Sequence, residues 1–456
     1  MNGTALLVLL MESRTRVQRY FAVMRYQRSI GLCFGLALFA GACKKEDEPK
    51  APSVVIVSPT SGTDVSVPDT LQVVVEVNGE DPVDQVTFTL TNADGIPVGA
   101  SVSVVPATDP ARIEVGIPLT SDLLVGGEHI LTVKALSGEA QGKDQRNVDL
   151  ISAPLRLRRV IVISTPQPDQ VSIHVIDSLG AVSLANTLVM DLGGAVVCSA
   201  RQVFALMGIE QGPLMVLAPD GQHVGWQKPN EGSAGIPWFT SLDRGSDERM
   251  YVGTTDGYLR GYNASTGVPE YVSEISDGFR TQRVLRQSHR VLQAQANGLG
   301  TQYRMVISQA SSGAFITEQL LDKQVVEMFA RDDSHVLIFG NRNGQGVVED
   351  RNTDVGGGWE PRIWASAITA VEGIDANTFL VALTNGTLER FTYTNAGSVL
   401  TGSPGSITDL AFEPVSGTVY AGAGNEVLRI DPQSGSTISS YPIGVPVRYV
   451  LPLLNR

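Results

Sequence analysis

From Ser53 onward the chain is written in short apolar runs that alternate with polar residues and end at Gly, Asn, Asp or Pro. A period of two puts successive side chains on opposite faces of an extended strand, so the pattern predicts half-buried β-strands. Between Ser53 and Ile151 the runs are Val54–Val57, Leu71–Val77, Val86–Thr91, Ala100–Val105, Ile113–Ile117, His129–Ala135 and Asn147–Leu150. Turn signals separate them at Ser58-Pro59, Asn78-Gly79, Asp81-Pro82, Asp94-Gly95, Asp109-Pro110 and Gly126-Gly127. Seven short strands in a stretch of this length predict a β-sandwich over residues 53–152.

After Pro154 the pattern becomes a repeat. Strands centred on Val160, Val203, Met250, Val291, Val336, Phe379 and Val419 follow one another at intervals of 40 to 47 residues, the length of a four-stranded propeller blade. Each is followed by a turn, then by a second turn at Gly180, Gly221, Gly267, Gly313, Gly356, Gly397 and Gly435. Gly and Asn suit tight hairpins because those turns need positive φ. A further apolar strand precedes most anchors, as at Phe239–Leu242, Val325–Phe329, Ala367–Val371 and Ile407–Phe412. The first anchor has none, whereas Val447–Leu451 at the other end has no successor. Pairing these two ends closes the ring and removes its open edges. The expected fold is all-β: an N-terminal β-sandwich followed by a β-propeller over residues 153–456, seven-bladed and closed by its C-terminal strand. Six or eight blades are the neighbouring solutions, because Leu184–Ser199 divides poorly into strands.

The copies Arg249–Gly267 (RMYVGTTDGYLRGYNASTG) and Thr418–Gly435 (TVYAGAGNEVLRIDPQSG) resemble the repeats of pyrroloquinoline-quinone-type and YVTN-type propellers. The likeness implies a fold of the WD40-like kind and no particular chemistry. The first region resembles the immunoglobulin-like modules of bacterial surface proteins, which act mainly as spacers.

Composition supports strands and turns: 47 Gly and 24 Pro with only 18% charged residues. The formal net charge is −13, and residues 1–43 contribute +4 through five arginines against Glu12, leaving −17 for the remainder. So acidic a surface repels nucleic acid phosphates, and no nucleic acid partner is expected.

The N-terminal region reads as an address. Arg25 and Arg28 precede the apolar stretch Ile30–Phe39, and Ala40-Gly41-Ala42 leads into Cys43, the layout of a secretory signal peptide. The small–small–Cys ending resembles the lipobox of bacterial lipoproteins, which implies lipidation of Cys43. Residues 44–52 form a tether, and Lys44-Lys45-Glu46-Asp47-Glu48 looks like the Bacteroidota lipoprotein export signal. That resemblance implies an outer-membrane lipoprotein, displayed on the cell surface or held on the periplasmic face. Met24 is the expected true start.

Catalytic signals are sparse. Of the three cysteines, Cys33 lies in the export segment and Cys43 at its end, so Cys198 stands alone as a core thiol. Quinone-dependent dehydrogenases carry a Trp motif in nearly every blade and a vicinal Cys pair. With four Trp and no such pair, no cofactor is expected. His129, His174, His223, His289 and His335 are dispersed, so no metal is expected. The acids at Asp332-Asp333 and from Asp243 to Asp247 read as solvated loop residues. Trp226, Trp238 and Trp359 follow turn residues and are the candidate ligand contacts, through stacking on sugars or peptides. The expected role is binding of a protein or polysaccharide partner, with no enzyme activity. The alternatives are a periplasmic scaffold resembling the lipoprotein propeller of the outer-membrane barrel assembly machinery, or a hydrolase or lyase whose acids meet in the propeller funnel.

Overall fold

The computed structural model describes residues 50–93, 95–232, 237–393, 395–400 and 405–456. Cys43 and the Lys44–Glu48 signal lie outside the described residues. The described chain is built from β-strands and divides into two compact units.

The first unit comprises residues 50–65 with Asp69–Leu119 and Gly127–Leu150. It holds a three-stranded sheet ordered Ser53–Ser58, Asp69–Asn78, Ala111–Leu119 and a five-stranded sheet ordered Thr63–Ser66, Ala140–Ile151, Gly127–Ser137, Gln85–Asn92, Val102–Val104. Alternate residues are buried, as at Leu71, Val73, Val75 and Val77 and again at Val86, Phe88 and Leu90. Two strands differ from the sequence pattern. Thr63–Ser66 is too short to show a period. The last strand begins at Ala140 rather than Asn147, because Gln141 to Arg146 are polar residues paired with Gly127–Ser137 through a tight hairpin.

The second unit holds seven four-stranded antiparallel sheets. The anchors Val160, Val203, Met250, Val291, Val336, Phe379 and Val419 each fall in the second strand of one sheet. Most of these strands carry an unbroken apolar run, as in Val160–Ile163 and Phe379–Leu383, because a neighbouring sheet covers each face; Arg290–Asn297 is the departure, with buried Gln293 and Gln295 among its apolar residues. The fourth strands, such as Val182–Val189 and Phe315–Leu321, are mostly exposed. The boundary within Leu184–Ser199, which the structure places between Val182–Val189 and Gly194–Cys198, was hidden because the exposed strand Val182–Val189 is itself rich in apolar residues and runs on through Met190 and Leu192 without a clear change of pattern. Gly397 sits inside the strand Asn395–Val399 rather than at a turn, facing the Glu389 side chain.

Sheet one takes its first strand from the end of the chain. Val447–Leu454 pairs antiparallel with Leu157–Gln167, Tyr449 lying opposite Ile163 and Leu451 opposite Ile161. A buried apolar cluster joins each sheet to the next. The cluster of Val160, Val162 and Ile176 with Tyr420, Val427 and Val450 joins sheet seven to sheet one. The first strands Gly194–Cys198, Phe239–Arg244, Phe279–Gln287, Gln324–Ala330, Ile368–Gly373, Ile407–Glu413 and Val447–Leu454 lie against one another in that order, and the last returns to the first.

Candidate functional site

A first strand pairs with its own sheet along one edge only, so its other edge offers unpaired amides. Six of the seven carry a β-bulge at the same place, after Phe239, Thr281, Val325, Ile368, Ile407 and Val447. A bulge re-aims the side chains that follow it. Those side chains are Ser241, Arg283, Glu327, Ala370, Asp409 and Tyr449, with Asp243 and Glu372 two residues further on the same faces.

Here lies a cavity of about 530 Å³, lined among others by Asp243, Arg283, Glu327, Glu372, Asp409 and Tyr449. A second cavity of about 380 Å³ shares Arg283, Glu327, Asp409 and Tyr449 with it. The two therefore adjoin at these charged residues. Arg283 Nε lies 3.6 Å from Glu327 Oε2 and donates to the Val326 carbonyl at 2.8 Å. The Val450 amide donates to Asp409 Oδ2 at 2.6 Å, and the Met328 amide to Glu327 Oε1 at 3.0 Å. Asp243 accepts similarly from Val284, and Glu372 from Phe412. Three of these acids thus take an amide from the first strand of the next sheet, which gives the free edges their acceptors.

Removal from water dominates the electrostatics. Burial pushes Asp243 and Asp409 up to about 7 and Glu372 up to about 8, with Glu327 raised in the same direction. Burial opposes the charge on Arg283, but Glu327 and Asp243 outweigh it and raise its pKa. Burial also raises the Tyr449 phenol. Carboxyls poised near neutrality beside a fixed guanidinium can hold or release protons in the physiological range.

The residues singled out from sequence lie elsewhere. Trp226 is in the strand Val224–Lys228 rather than on a loop; its indole N–H donates to the Ala264 carbonyl at 2.9 Å. Trp238 packs with Trp226 in the cluster between sheets two and three. Trp359 is also on a strand, 56% exposed, with its ring edge-to-face on Tyr393. None of the three lines either of the adjoining cavities. The histidines stay dispersed: His174 is buried in sheet one, while His223 and His335 each pair with a local aspartate. Among the described residues no group of three or more His, Cys, Asp or Glu could hold a metal ion.

Asp243 corrects the reading of the Asp243–Asp247 acids as solvated loop residues. It belongs to the strand Phe239–Arg244 and faces the cavity, while Asp247 accepts from the Tyr251 hydroxyl at 2.9 Å. A signal was available in the sequence: one acid interrupts an apolar run in Val325–Phe329 and in Ile407–Phe412.

No family model matches the chain, and no curated protein does. Solved structures are similar in fold. A quinonprotein alcohol dehydrogenase-like protein from Bacteroides thetaiotaomicron is 12% identical, covering 88% of this chain and 99% of its own at a TM-score of 0.46. The WD40 β-propeller domain of Doa1 is 13% identical, covering 61% and 93% at 0.45. BamB from Moraxella catarrhalis is 16% identical, covering 56% and 76% at 0.35. These neighbours are β-propellers, and at such distances no chemistry is carried over from them.

Proposed function

We propose that this is a cell-envelope binding protein, lipid-anchored at Cys43, whose N-terminal β-sandwich is a spacer and whose second unit is a seven-bladed propeller closed by its C-terminal strand. The cyclic succession of first strands and the cluster between sheets seven and one support the closed ring. The observation that carries binding is the pair of adjoining cavities, whose walls include buried oxygens without partners at Thr240, Ser241, Asp243 and Thr369. A partner's donors satisfy such groups, and both proteins and polysaccharides offer them.

Ring closure is tested by Asp243→Cys with Tyr449→Cys, which line one cavity from sheets three and one. A short bis-maleimide bridges them in a closed ring and leaves them unbridged otherwise. Anchoring is tested by lipid labelling, which Cys43→Ala abolishes. Protease shaving of intact cells tests surface display, and full protection favours a scaffold on the periplasmic face. A glycan array with product analysis tests the activity: unaltered glycans retained by the native protein and lost with Asp243→Asn support binding. A second reading, hydrolysis or elimination by the cavity carboxyls, draws on Asp243, Asp409 and Glu372 being raised to about 7, 7 and 8. Shortened products would favour it.

A further inference from the structure

We propose that the cavity between the first strands takes a primary ammonium group, seated against Ser241 and Asp243 on one wall and Glu372 on another. The proposal rests on the closed-ring reading only in that it takes these strands to converge on one cavity. A volume of about 530 Å³ lies within the range of small-ligand sites, and the adjoining cavity gives a second approach.

The interior charges are unbalanced. Arg283 is committed to Glu327 and to the Val326 carbonyl, so Asp243, Glu372 and Asp409 have backbone amides as their donors. The independent observation is Ser241. It is 3% exposed, lines the cavity two residues before Asp243 on the same strand face, and its Oγ has no hydrogen-bond partner. Asp243 Oδ2 is likewise shut from solvent without a partner. A carboxylate oxygen and a hydroxyl two residues apart on one strand face, both unsatisfied, call for a donor, and a cationic donor forms the stronger bond to the carboxylate. An ammonium group brings three N–H donors and is compact enough to reach both. With no metal-holding group among the described residues, an organic cation fits better than a metal ion.

Charged and titratable neighbours fix the sign of the pH dependence. Asp243 faces Arg283 on the next first strand and Glu327 on the one after. Glu372 faces Asp409, Glu327 and Arg244. Tyr449 faces Arg283, Asp409, Arg448 and Asp243. From Gly194–Cys198 the titratable side chain is Cys198, whose thiol is turned to Glu248. Arg244 and Arg448 are exposed, where solvent and salt screen them. A bound cation favours the ionised carboxyls, so binding expels protons and tightens as pH rises through their range.

The test is calorimetric titration of the full-length protein with putrescine, with butylamine and a lysine-bearing tripeptide as separate arms and the diol of equal length as the uncharged control. The amines are expected to bind about tenfold more tightly near pH 8.5 than near pH 6, releasing protons, with the diol silent. Tighter binding of putrescine than of the tripeptide identifies a free amine as the source, and the reverse order a basic side chain. Asp243→Asn weakens binding about tenfold or more and reduces the pH dependence. Ser241→Ala, a smaller change, weakens it about threefold with the melting temperature unchanged. Failure of all amines to bind, equal binding of the diol, or full affinity in folded Asp243→Asn would overturn the assignment. Bridging of the 243–449 cysteine pair in that variant, together with no amine binding by the native protein, overturns the ligand alone and leaves the ring intact.

Discussion

A Cβ placed on Gly267 would lie 2.7 Å from Cδ2 of Trp226. Gly267 closes the second turn of sheet three, at φ 69°, and Trp226 belongs to the fourth strand of sheet two. The turn thus rests on the indole, and glycine is required for its backbone and for the space. Gly267→Ala should destabilise the protein by about 2–4 kcal/mol, combining left-handed strain with overpacking. Urea unfolding measures this, and an unchanged midpoint would refute the contact. The relationship recurs: a Cβ on Gly435 would meet Leu400, one on Gly221 would meet Ile173, and one on Gly180 would meet Tyr441 of sheet seven.

The C-terminal strand is expected to matter as much as any interior strand. Leu453 is fully buried and packs in the cluster that joins sheets one and two. Leu453→Ala should cost about 2–5 kcal/mol through lost contacts and a residual cavity. Leu320, 78% exposed on a fourth strand, provides the contrast: Leu320→Ala should change stability by no more than about 0.5 kcal/mol. Thermal melts of the two variants decide the matter, and equal losses would contradict the placement of the C-terminal strand.

The repeat was legible because turn chemistry and buried second strands are local: Met250–Gly253 and the Asp256-Gly257 turn announce themselves in adjacent residues. Trp226 misled for the same reason. Its neighbour Gly225 suggested a loop, whereas its environment is set by Gly267 and Ala264 in the next sheet. The cavity was hidden more deeply. Asp243, Glu327, Glu372 and Asp409 are spread over four sheets and meet only when first strands are laid side by side. Residue type alone predicts a solvated acid. A free strand edge needing acceptors makes these carboxylates inward-facing, and that need exists only after the sheets assemble.

Cys198 should be inert in the folded protein. It is fully buried, its thiol donates to Glu248 at 2.9 Å, and burial with that carboxylate pushes it up to about 12. The thiolate is the reactive form, so alkylation near pH 8 should be negligible until the protein is unfolded. Mass spectrometry after maleimide treatment, with and without denaturant, tests this; rapid labelling of the native protein would contradict it.

The cavity carboxyls also set how stability responds to pH. Their ordinary values are near 4, while burial raises Asp243 and Asp409 to about 7 and Glu372 to about 8. Between those limits the folded chain holds more protons than the unfolded chain, so its stability must fall as pH rises from about 4 to 8. Asp322 and Asp332 act in the opposite sense. Burial works against ionisation, but Lys323 and Arg342 around Asp322 bring it down to about 2. Backbone and side-chain donors from Ser334 and His335 do the same for Asp332. Their contribution is lost as pH falls from about 4 towards 2. Maximum stability is therefore expected at mildly acidic pH, with a melting temperature higher near pH 5 than near pH 8.5. Replacing Asp243 and Asp409 by Asn and Glu372 by Gln together removes three of the four raised carboxyls while keeping acceptor oxygens, and should shrink the alkaline limb to what Glu327 contributes while leaving the acid limb in place. A profile that stays flat in the native protein, or an alkaline limb undiminished in the triple variant, would show that these carboxyls ionise as freely as surface acids.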